Sequence, residues 1–376
     1  MRYICYVTGT RADFGLMSAT LRRILADSRL RLGLLVTGMH LSPVYGETVR
    51  EIRAAQMPIV SEVPVAIDHP SGESMAHSIA AMLTGFTTAL AREKPDMVLL
   101  LGDRGEMLAA AIAALHLGIP IAHAHGGERS GSVDEPVRHA ISKLSHVHFA
   151  ATAEARERLV RLGERADRVW VTGAPGLDEL ESLAIHDRRA LCAEAGFDPN
   201  RKLALGVFHP VVNDAASPGA QVAALIGAAR SSGCQTLMLE PNSDAGADEI
   251  RGVLYKLKGV EGLAIRTHLT REKFASWMAQ CDVMIGNSSS GIIEAASFGT
   301  PVVNVGSRQN LREAGPNVVT VGTDESSISR AIDAALRAPR PAAVNIYGDG
   351  HAAERIVEHL ATVPLGPELL AKCNAY

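Results

Sequence analysis

Short apolar runs alternate with longer segments of helical periodicity along almost the whole chain. The apolar runs predict strands, and the amphipathic segments between them predict helices. The predicted strands are 3–7, 32–36, 97–101, 119–124, 147–150 and 169–171, followed by 203–208, 236–239, 263–265, 283–285 and 302–305. The predicted helices are 13–26, 73–92, 105–117, 154–162, 220–231, 271–279 and 326–336. This alternation is typical of parallel sheets that are covered by helices on both faces.

The alternation pauses at residues 173–201, a segment rich in turn residues. We therefore expect an α/β fold of two doubly wound, Rossmann-like domains that face a cleft, with boundaries at 1–175 and 176–345. A last helix at about 350–362 is expected to pack back on the first domain, and the hinge candidates are 175–200 and 339–341. Ligands of doubly wound sheets bind beyond the carboxyl ends of the strands. The loops that follow the strands are therefore the places to look for chemistry.

Composition narrows the class of protein. A length of 376 residues exceeds the size at which one core stops growing, and a hydrophobic share of 47% is that of a folded protein. The formal net charge of −4 argues against a broad surface for nucleic acid or an anionic membrane. The 5 cysteines are scattered, which is neither a disulfide framework nor a zinc cluster. No apolar run has the length of a signal peptide core or a membrane span, so we expect a cytoplasmic protein without nucleic-acid or membrane partners.

In the first half, polar residues accumulate in loops after predicted strands. Arg11 follows the first strand as a candidate anion ligand, and Asp103 follows the third as a candidate acid, although an ordinary helix cap is an alternative for Asp103. The segment 123–135 combines two histidines, three carboxylates and an arginine with three glycines, which packing alone does not explain. His123 and His125 could bind a metal ion, but the carboxylate spacing of zinc hydrolases is missing, so no metal site is predicted.

In the second half, two loops suggest an anion site. His209 follows the strand 203–208 and would direct its imidazole into the cleft. The turn Ser288-Ser289-Ser290-Gly291 opens a predicted helix and offers backbone N–H groups, hydroxyls and the positive end of a helix dipole, with Glu294 in the first turn. Arg308 and Arg312 in the next loop add positive charge, which predicts a site for a diphosphate-sized anion. No P-loop or dinucleotide fingerprint is present, so no cofactor is expected.

These motifs, in this order, resemble the hydrolysing UDP-N-acetylglucosamine 2-epimerases of sialic-acid and related nonulosonic-acid biosynthesis. The resemblance extends from residue 8 to about residue 313. The motifs that carry it are Gly9-Thr10-Arg11-Ala12-Asp13-Phe14-Gly15, Gly102-Asp103-Arg104-Gly105-Glu106, His125-Gly126-Gly127-Glu128, Asp134-Glu135-x-x-Arg138-His139, His209-Pro210, Asn287-Ser288-Ser289-x-Gly291-Ile292-x-Glu294 and Gly306-Ser307-Arg308-Gln309-x-x-Arg312-Glu313.

The resemblance implies a glycosyltransferase-B-like fold in which the C-terminal domain holds the UDP moiety and the N-terminal domain the sugar. It implies that the turn at Ser288, Ser289, Ser290 and Gly291 binds phosphate, that Glu294 binds the ribose, and that Arg11, His209, Arg308 and Arg312 face the diphosphate or the leaving oxygen. Asp103, Glu128 and Asp134, with His209, match catalytic positions, and His125 and Arg138 match positions beside the sugar. Members of the family are commonly dimers or tetramers, so a homodimer or homotetramer is implied.

The implied reaction expels UDP from C1 of an N-acetylhexosamine, forms a glycal, and ends with inversion at C2 and water at C1. The C2 proton becomes acidic only as the C1–O bond breaks, so cations for the leaving group and two or three carboxylates for the sugar are what the scheme needs. Glu128 or Asp134 is the hypothesised C2 base. The loop at 211–218 differs from that expected of GlcNAc-specific members, which leaves open UDP-N-acetylglucosamine or its 2,4-diacetamido-2,4,6-trideoxy analogue of the legionaminic-acid pathway. A non-hydrolysing epimerase, a glycosyltransferase of the same fold and a nucleotide-sugar-binding regulatory module are the rival interpretations.

Overall fold

Every strand that the sequence predicts is present in the computed structural model, which describes residues 1–67, 71–130, 133–211 and 217–375. The strands of the first sheet are β1 (Arg2–Thr8), β2 (Leu30–Thr37), β3 (Ile59–Val63), β4 (Met97–Leu101), β5 (Ile121–Ala124), β6 (Val147–Ala150) and β7 (Val169–Val171). Those of the second are β8 (Leu203–Val207), β9 (Gln235–Leu239), β10 (Leu263–Arg266), β11 (Val283–Gly286), β12 (Val302–Val305) and β13 (Val318–Val321).

Both sheets are doubly wound. The seven-stranded sheet has the order β3-β2-β1-β4-β5-β6-β7 and the six-stranded sheet the order β10-β9-β8-β11-β12-β13. All neighbouring strands run parallel. In each sheet the strand order reverses beside the first strand, β1 or β8, and that switch point is where doubly wound sheets bind ligands.

Helices cover both faces of each sheet. They are α1 (Arg11–Ala26), α2 (Val49–Ala54), α3 (Gly72–Glu93), α4 (Gly105–His116), α5 (Asp134–Leu144), α6 (Ala153–Arg161), α7 (Arg188–Ala195), α8 (Pro218–Ser231), α9 (Ala247–Lys256), α10 (Arg271–Gln280), α11 (Ser289–Ile293), α12 (Glu325–Arg337), α13 (Ala352–Thr362) and α14 (Pro367–Leu370). On the first sheet, α1 and α13 enclose one apolar core and α3 and α4 enclose another. Within the described residues no helix is long and apolar enough to cross a membrane.

Two strands and several helices were not predicted, and one of these helices, α5, carries site residues. β3 and β13 are edge strands in which Val63 alone is buried and the other residues are half-exposed or exposed, so they lack the continuous apolar run of a buried parallel strand. The segment 123–135 was treated as one loop, but α5 begins at Asp134. Its charged first turn and the buried Arg138 hide the apolar period of this helix. The helical start matters because it fixes where Asp134 and Arg138 point.

The chain crosses between the two sheets through two neighbouring segments. Ala174 N–H donates to Tyr347 O over 2.8 Å, and the carboxylate of Asp178 accepts from the N–H groups of Ala352 and Ala353 at 2.9 and 2.6 Å. Asp178 therefore caps the N-terminus of α13, which packs on α1 of the first domain. The domain limits 1–175 and 176–345 remain a prediction.

The hinge candidate at 339–341 lies instead on the second domain. The guanidinium of Arg340 donates to the backbone carbonyls of Phe298, Cys281 and Ala279 at 3.0, 3.1 and 2.8 Å. These bonds fix the segment 339–341 to the end of α10 and to the turn before β12. The chain returns to the first domain later, near Tyr347, whose carbonyl accepts from Ala174 N–H.

We predict that Asp178→Ala lowers the free energy of unfolding by about 1 kcal/mol, because two N–H groups at the start of α13 lose their acceptor. Asp178→Asn keeps one carbonyl oxygen and should lose less. Urea denaturation followed by circular dichroism measures both. Equal stability of Asp178→Ala and the unmodified chain would contradict the capping role.

Candidate active site

A cleft of about 590 Å³ lies between the domains at the carboxyl ends of both sheets. This volume is that of a small-molecule binding site. Nearly all of the residues singled out in the sequence line it: Arg11, Asp103, His125, Glu128, Asp134, Arg138, His209, Ser288, Ser289, Ser290, Glu294, Arg308 and Arg312. Gly291 is the exception. A Cβ on Gly291 would lie 3.1 Å from Val302 Cγ1, so this glycine serves the close approach of α11 to β12.

The loop between β1 and α1 is organised by a buried carboxylate. Asp13 Oδ2 accepts from the N–H groups of Gly9 and Thr10 at 3.1 and 2.8 Å, and Thr10 caps the helix in return. Asp13 therefore stabilises the loop, and its carboxylate is engaged in these hydrogen bonds. Arg11, expected at the diphosphate, donates through Nε to the Glu51 carboxylate of α2 at 3.0 Å while it lines the cleft.

Helix α5 brings the acids of the first domain together. Arg138 is 1% exposed, and its guanidinium pairs with Asp103 and donates to Glu128 O over 3.0 Å. Although burial raises the pKa of Asp103, the cations of Arg138, Arg312 and Arg308 outweigh it and lower the pKa to about 2. Asp103 is therefore ionised at neutral pH.

His125 and Glu128 form a buried pair in the turn after β5. His125 has a φ of 61°, and a Cβ on the next-but-one residue, Gly127, would lie 2.1 Å from Ala155 O, so this turn needs its glycines. His125 Nδ1 donates to Glu128 Oε1. Burial, followed by the cations of Arg312 and Arg138, lowers the pKa of His125 to about 3. The imidazole is therefore neutral, with Nε2 as its hydrogen-bond acceptor.

Asn287 locks the two C-terminal loops to each other. Its side chain accepts from His209 N–H at 2.7 Å and donates to His209 O at 2.8 Å. Before it, Gly286 has a φ of 130°, and a Cβ there would lie 2.0 Å from Val207 O. His209 Nδ1 accepts from Asn242 N–H over 3.2 Å. Burial, then Arg308, lowers the pKa of His209 to about 3, so the ring is neutral and carries its proton on Nε2.

The serine turn forms the floor of the C-terminal side. Ser288 Oγ accepts from Ser290 N–H at 3.3 Å and lies 2.8 Å from Ser290 Oγ. Glu294, which the resemblance assigns to the ribose, is 3% exposed and pairs with Arg271 Nη1 at 2.5 Å. Arg271 also donates to Gly176 O at 2.7 Å in the first crossing segment, and so connects the turn to that segment.

Acids and arginines from opposite domains pair directly. Arg308 Nη2 lies 3.2 Å from Asp134 Oδ2, and Arg312 Nη1 contacts Glu128 Oε2. Arg308 also donates to Asn287 O at 3.2 Å, so one guanidinium touches both walls of the cleft. The acids of the first domain and the arginines of the second therefore face each other across the cleft and neutralise each other there.

Several cleft residues were not predicted. Arg104 and Asn242 line the cleft, Asp244 lies behind it, and Arg271 holds Glu294. Asn242 and Asp244 lie in a polar turn after β9. The principle that loops after strands carry chemistry could therefore have identified them from the sequence. Arg104 lies between two residues that were noted, Asp103 and Glu106, and only the fold shows that it reaches the other domain.

His123 is not available as a metal ligand. Its Nε2 donates to Gly102 O over 2.7 Å, and its Nδ1 lies 3.1 Å from Ser142 Oγ. His123 thereby ties the end of β4 to α5. In the part of the chain that the structure describes, no three His, Cys, Asp or Glu residues are arranged to hold a metal ion.

Two doubly wound domains around a polar cleft define the glycosyltransferase-B-like class, and comparisons with known proteins agree. The family model described as UDP-N-acetylglucosamine 2-epimerase matches residues 22–361, and the chain belongs to that family. It is 50% identical, over 100% of both chains, to the UDP-N,N'-diacetylbacillosamine 2-epimerase (hydrolyzing) of Legionella pneumophila.

Two proteins of Neisseria meningitidis are more distant. The chain is 33% identical to the UDP-N-acetylglucosamine 2-epimerase of that organism, with 98% of this chain and 96% of the relative covered. A crystal structure of UDP-GlcNAc 2-epimerase from the same species bound to UDP-GlcNAc matches with a TM-score of 0.79, 20% identity and coverage of 95% and 99%. The structural match supports the fold alone.

We predict that His123 makes the protein sensitive to acid. Burial, with the cation of Arg138 among the smaller causes, lowers the pKa of His123 to about 3, whereas an unfolded histidine has a pKa of about 6.5. Between these values only the unfolded chain binds the proton, so stability falls as the pH falls. Between pH 7.5 and pH 5.0, the protonation of His123 in the unfolded chain lowers the free energy of unfolding by at most about 2 kcal/mol.

Urea unfolding at both pH values measures this share. His123→Gln should lose less stability between pH 7.5 and 5.0 than the unmodified chain does. The exposed His116 provides the matched control, since His116→Gln should keep the original pH dependence. Identical losses for His123→Gln and the unmodified chain would contradict the prediction.

Proposed function

We propose that the protein is a hydrolysing 2-epimerase that converts UDP-2,4-diacetamido-2,4,6-trideoxyglucose, which is UDP-N,N'-diacetylbacillosamine, to UDP and the free sugar epimerised at C2. The observation that carries this proposal is the 50% identity over both complete chains with the Legionella enzyme of that name, against 33% with the Neisseria UDP-N-acetylglucosamine enzyme. The proposal selects the second of the two substrates that the sequence left open. The 211–218 loop that raised the question lies mostly outside the described residues, at 212–216.

In this proposal the C-terminal domain binds UDP. The serine turn offers N–H and hydroxyl donors to the diphosphate, and Arg308 stands beside it on Asn287 O. Glu294, held by Arg271, accepts from the ribose hydroxyls. His209 offers a neutral Nε2–H to the oxygen that leaves C1, as its pairing with Asn242 indicates. A neutral donor near a departing diphosphate oxygen can share or transfer its proton as negative charge develops.

The elimination step needs a cation stabiliser and a base. As the C1–O bond breaks, UDP leaves with the bonding electron pair and C1 becomes oxocarbenium-like. Asp103 suits the stabilising role, since its low pKa keeps it ionised. A base then removes the proton from C2, and that C–H electron pair forms the C1=C2 double bond of the glycal.

We assign the C2 base to Glu128 together with His125. Glu128 is 2% exposed and orients His125 through Nδ1, which leaves Nε2 as an acceptor in the cleft wall. Asp134 pairs with Arg308, which also touches Asn287 O next to the serine turn. That position favours a role for Asp134 near C1, where it accepts a proton from the water that adds there. In hydration, a proton derived from solvent first adds to C2 from the opposite face, using the electron pair of the C1=C2 bond, and C1 becomes oxocarbenium-like again. Water then adds to C1 and loses its proton to Asp134, which completes the inversion and the hydrolysis.

The product fits the biosynthesis of a nonulosonic acid. A 2,4-diacetamido-2,4,6-trideoxy hexose of manno configuration has the substituents of legionaminic acid, the pathway that the sequence left open. Cytoplasmic location and assembly as a homodimer or homotetramer stay predictions.

Incubation with each nucleotide sugar in D2O tests the reaction. We expect free UDP and a C2-deuterated free sugar, with kcat/KM for the diacetamido substrate at least about 10-fold above that for UDP-N-acetylglucosamine, since each misfitted group costs about 1.4 kcal/mol or more. Mass spectrometry and proton NMR measure both. Product without deuterium at C2 would overturn the elimination route, retention of UDP on the product would indicate a non-hydrolysing epimerase, and intact nucleotide sugar would indicate a transferase or a regulatory module.

Replacing the acids separates catalysis from binding. Glu128→Gln should lower kcat by about 100-fold or more, because the carboxylate of the Glu128–His125 base is lost, while UDP binding stays within about 3-fold. Asp134→Asn should also lower kcat. Glu157→Gln is the matched control, since Glu157 pairs with Arg161 on the surface of α6. Normal turnover by both Glu128→Gln and Asp134→Asn would refute the site assignment.

A further inference from the structure

His209 is oriented by a loop rather than by its own strand. The turn between β9 and α9 places Asn242 N–H on His209 Nδ1 at 3.2 Å. The side chain of Asn242 is held in turn by Asp244, which accepts from Asn242 Nδ2 at 2.5 Å and donates its N–H to Asn242 Oδ1 at 3.2 Å. This reciprocal pair fixes the turn at the point where it meets the imidazole.

The far end of this chain of contacts lies on the other domain. Arg104, the residue before α4, directs its guanidinium across the cleft. Nη1 lies 3.6 Å from Asp244 Oδ1, and Nη2 donates to Ser243 Oγ at 3.4 Å. Arg104 Nε is fixed by Glu106 Oε1 at 3.0 Å, and Glu106 is itself 5% exposed beneath the glycine of the first loop, Gly9.

The tautomer of His209 depends on the Asn242 contact. With Nδ1 accepting, the neutral ring must carry its proton on Nε2 and so presents a donor to the cleft. If Asn242 moves away, the two neutral tautomers compete, and a ring protonated on Nδ1 presents an acceptor instead. Because Arg104 and Asp244 lie on different domains, their contact exists only while the domains are held at this distance.

We propose that Arg104 and Asp244 are positioning residues that couple closure of the cleft to the tautomer of His209, so that a proton donor is offered to the leaving oxygen only in the closed state. The coupling acts through Asn242, and neither Arg104 nor Asp244 needs to touch the substrate. The inference rests on the proposed function in that His209 assists the departure of UDP. The Arg104–Asp244 contact itself is independent of which sugar the enzyme accepts.

The tautomer is measured directly by nitrogen NMR of the full-length chain labelled with 15N-histidine and saturated with UDP. His209→Gln assigns the His209 resonances by their disappearance. We expect the unmodified chain to show an unprotonated Nδ1 and a protonated Nε2, whereas Arg104→Gln and Asp244→Ala shift both nitrogens toward the averaged values of mixed tautomers. The same spectrum in all three proteins would overturn the proposal, and this measurement requires no turnover.

Kinetics supplies the second measurement. Arg104→Gln and Asp244→Ala should lower kcat by about 10- to 100-fold with KM within about 3-fold, since a misplaced group loses transition-state rather than ground-state interactions. Arg104→Lys, which keeps the charge, should recover part of kcat. The double variant should be no slower than the slower single variant, because both act through one path. Asp167→Asn, at a surface pair 2.8 Å from Arg165, should match the unmodified chain.

The outcomes are separable. A raised KM with unchanged kcat, or losses that multiply in the double variant, would mean that the pair merely holds the domains together. If the unmodified chain turns over neither nucleotide sugar, the proposed function fails, while the tautomer measurement still decides whether Arg104 and Asp244 position His209. Isothermal titration with UDP and the thermal midpoint establish that each variant is folded. If Asp244→Ala does not fold, Arg104→Gln and Arg104→Lys decide the question.

Discussion

The structure of the cleft depends on ion pairs that neutralise two almost completely buried arginines. Arg138 is 1% exposed, and the side chain of Arg312 is 6% exposed. A guanidinium cannot lose its charge, so burial at this depth is tolerated only when carboxylates and carbonyl oxygens surround it. Arg138 fulfils this need within its own domain, through Asp103 and the Glu128 carbonyl. Arg312 fulfils it across the cleft, through the Glu128 carboxylate. The domains are therefore held together by the same acids that the proposed reaction uses.

The same carboxylates would pair with arginines before the substrate binds and act on the sugar afterwards. A diphosphate that enters the cleft brings negative charge to the arginines that now neutralise Asp134 and Glu128. Arg308 already touches the wall of the serine turn through Asn287 O, so it can exchange a carboxylate for a phosphate oxygen with little movement. The exchange would leave the acids with fewer cations around them and hence as better proton acceptors. In the proposed reaction, binding of the nucleotide would therefore also make the acids better bases.

The sequence predicted the fold and 13 of the polar and charged residues that line the cleft, for identifiable reasons. Central parallel strands are continuous apolar runs, and doubly wound topology puts the loops after them at one edge, so residues as distant as Asp103 and Arg308 could be assigned to one site. The edge strands β3 and β13 lack that signal. What the sequence could not supply were the partners of charged side chains across the domains. Arg104 lies in a recognised motif, but its reach to Asp244 depends on how the two sheets face each other, which local periodicity does not encode.

The proposed hydrolysis imposes opposite demands on these cross-domain contacts. While C1 is cationic, water must be excluded or the C2 proton is never removed, whereas the glycal must later receive water at C1. The pairs Arg308–Asp134 and Arg312–Glu128 close the cleft on the side of the acids, and Arg104–Asp244 closes it beside His209. In the proposed reaction, departure of UDP would remove the anion that competes for these arginines. Elimination would then take place while the diphosphate is bound, and hydration after the arginines return to the carboxylates. A transferase of the same architecture has no such need for acids on the wall facing the nucleotide, so the positions of Glu128 opposite Arg312 and of Asp134 opposite Arg308 favour the proposed epimerase.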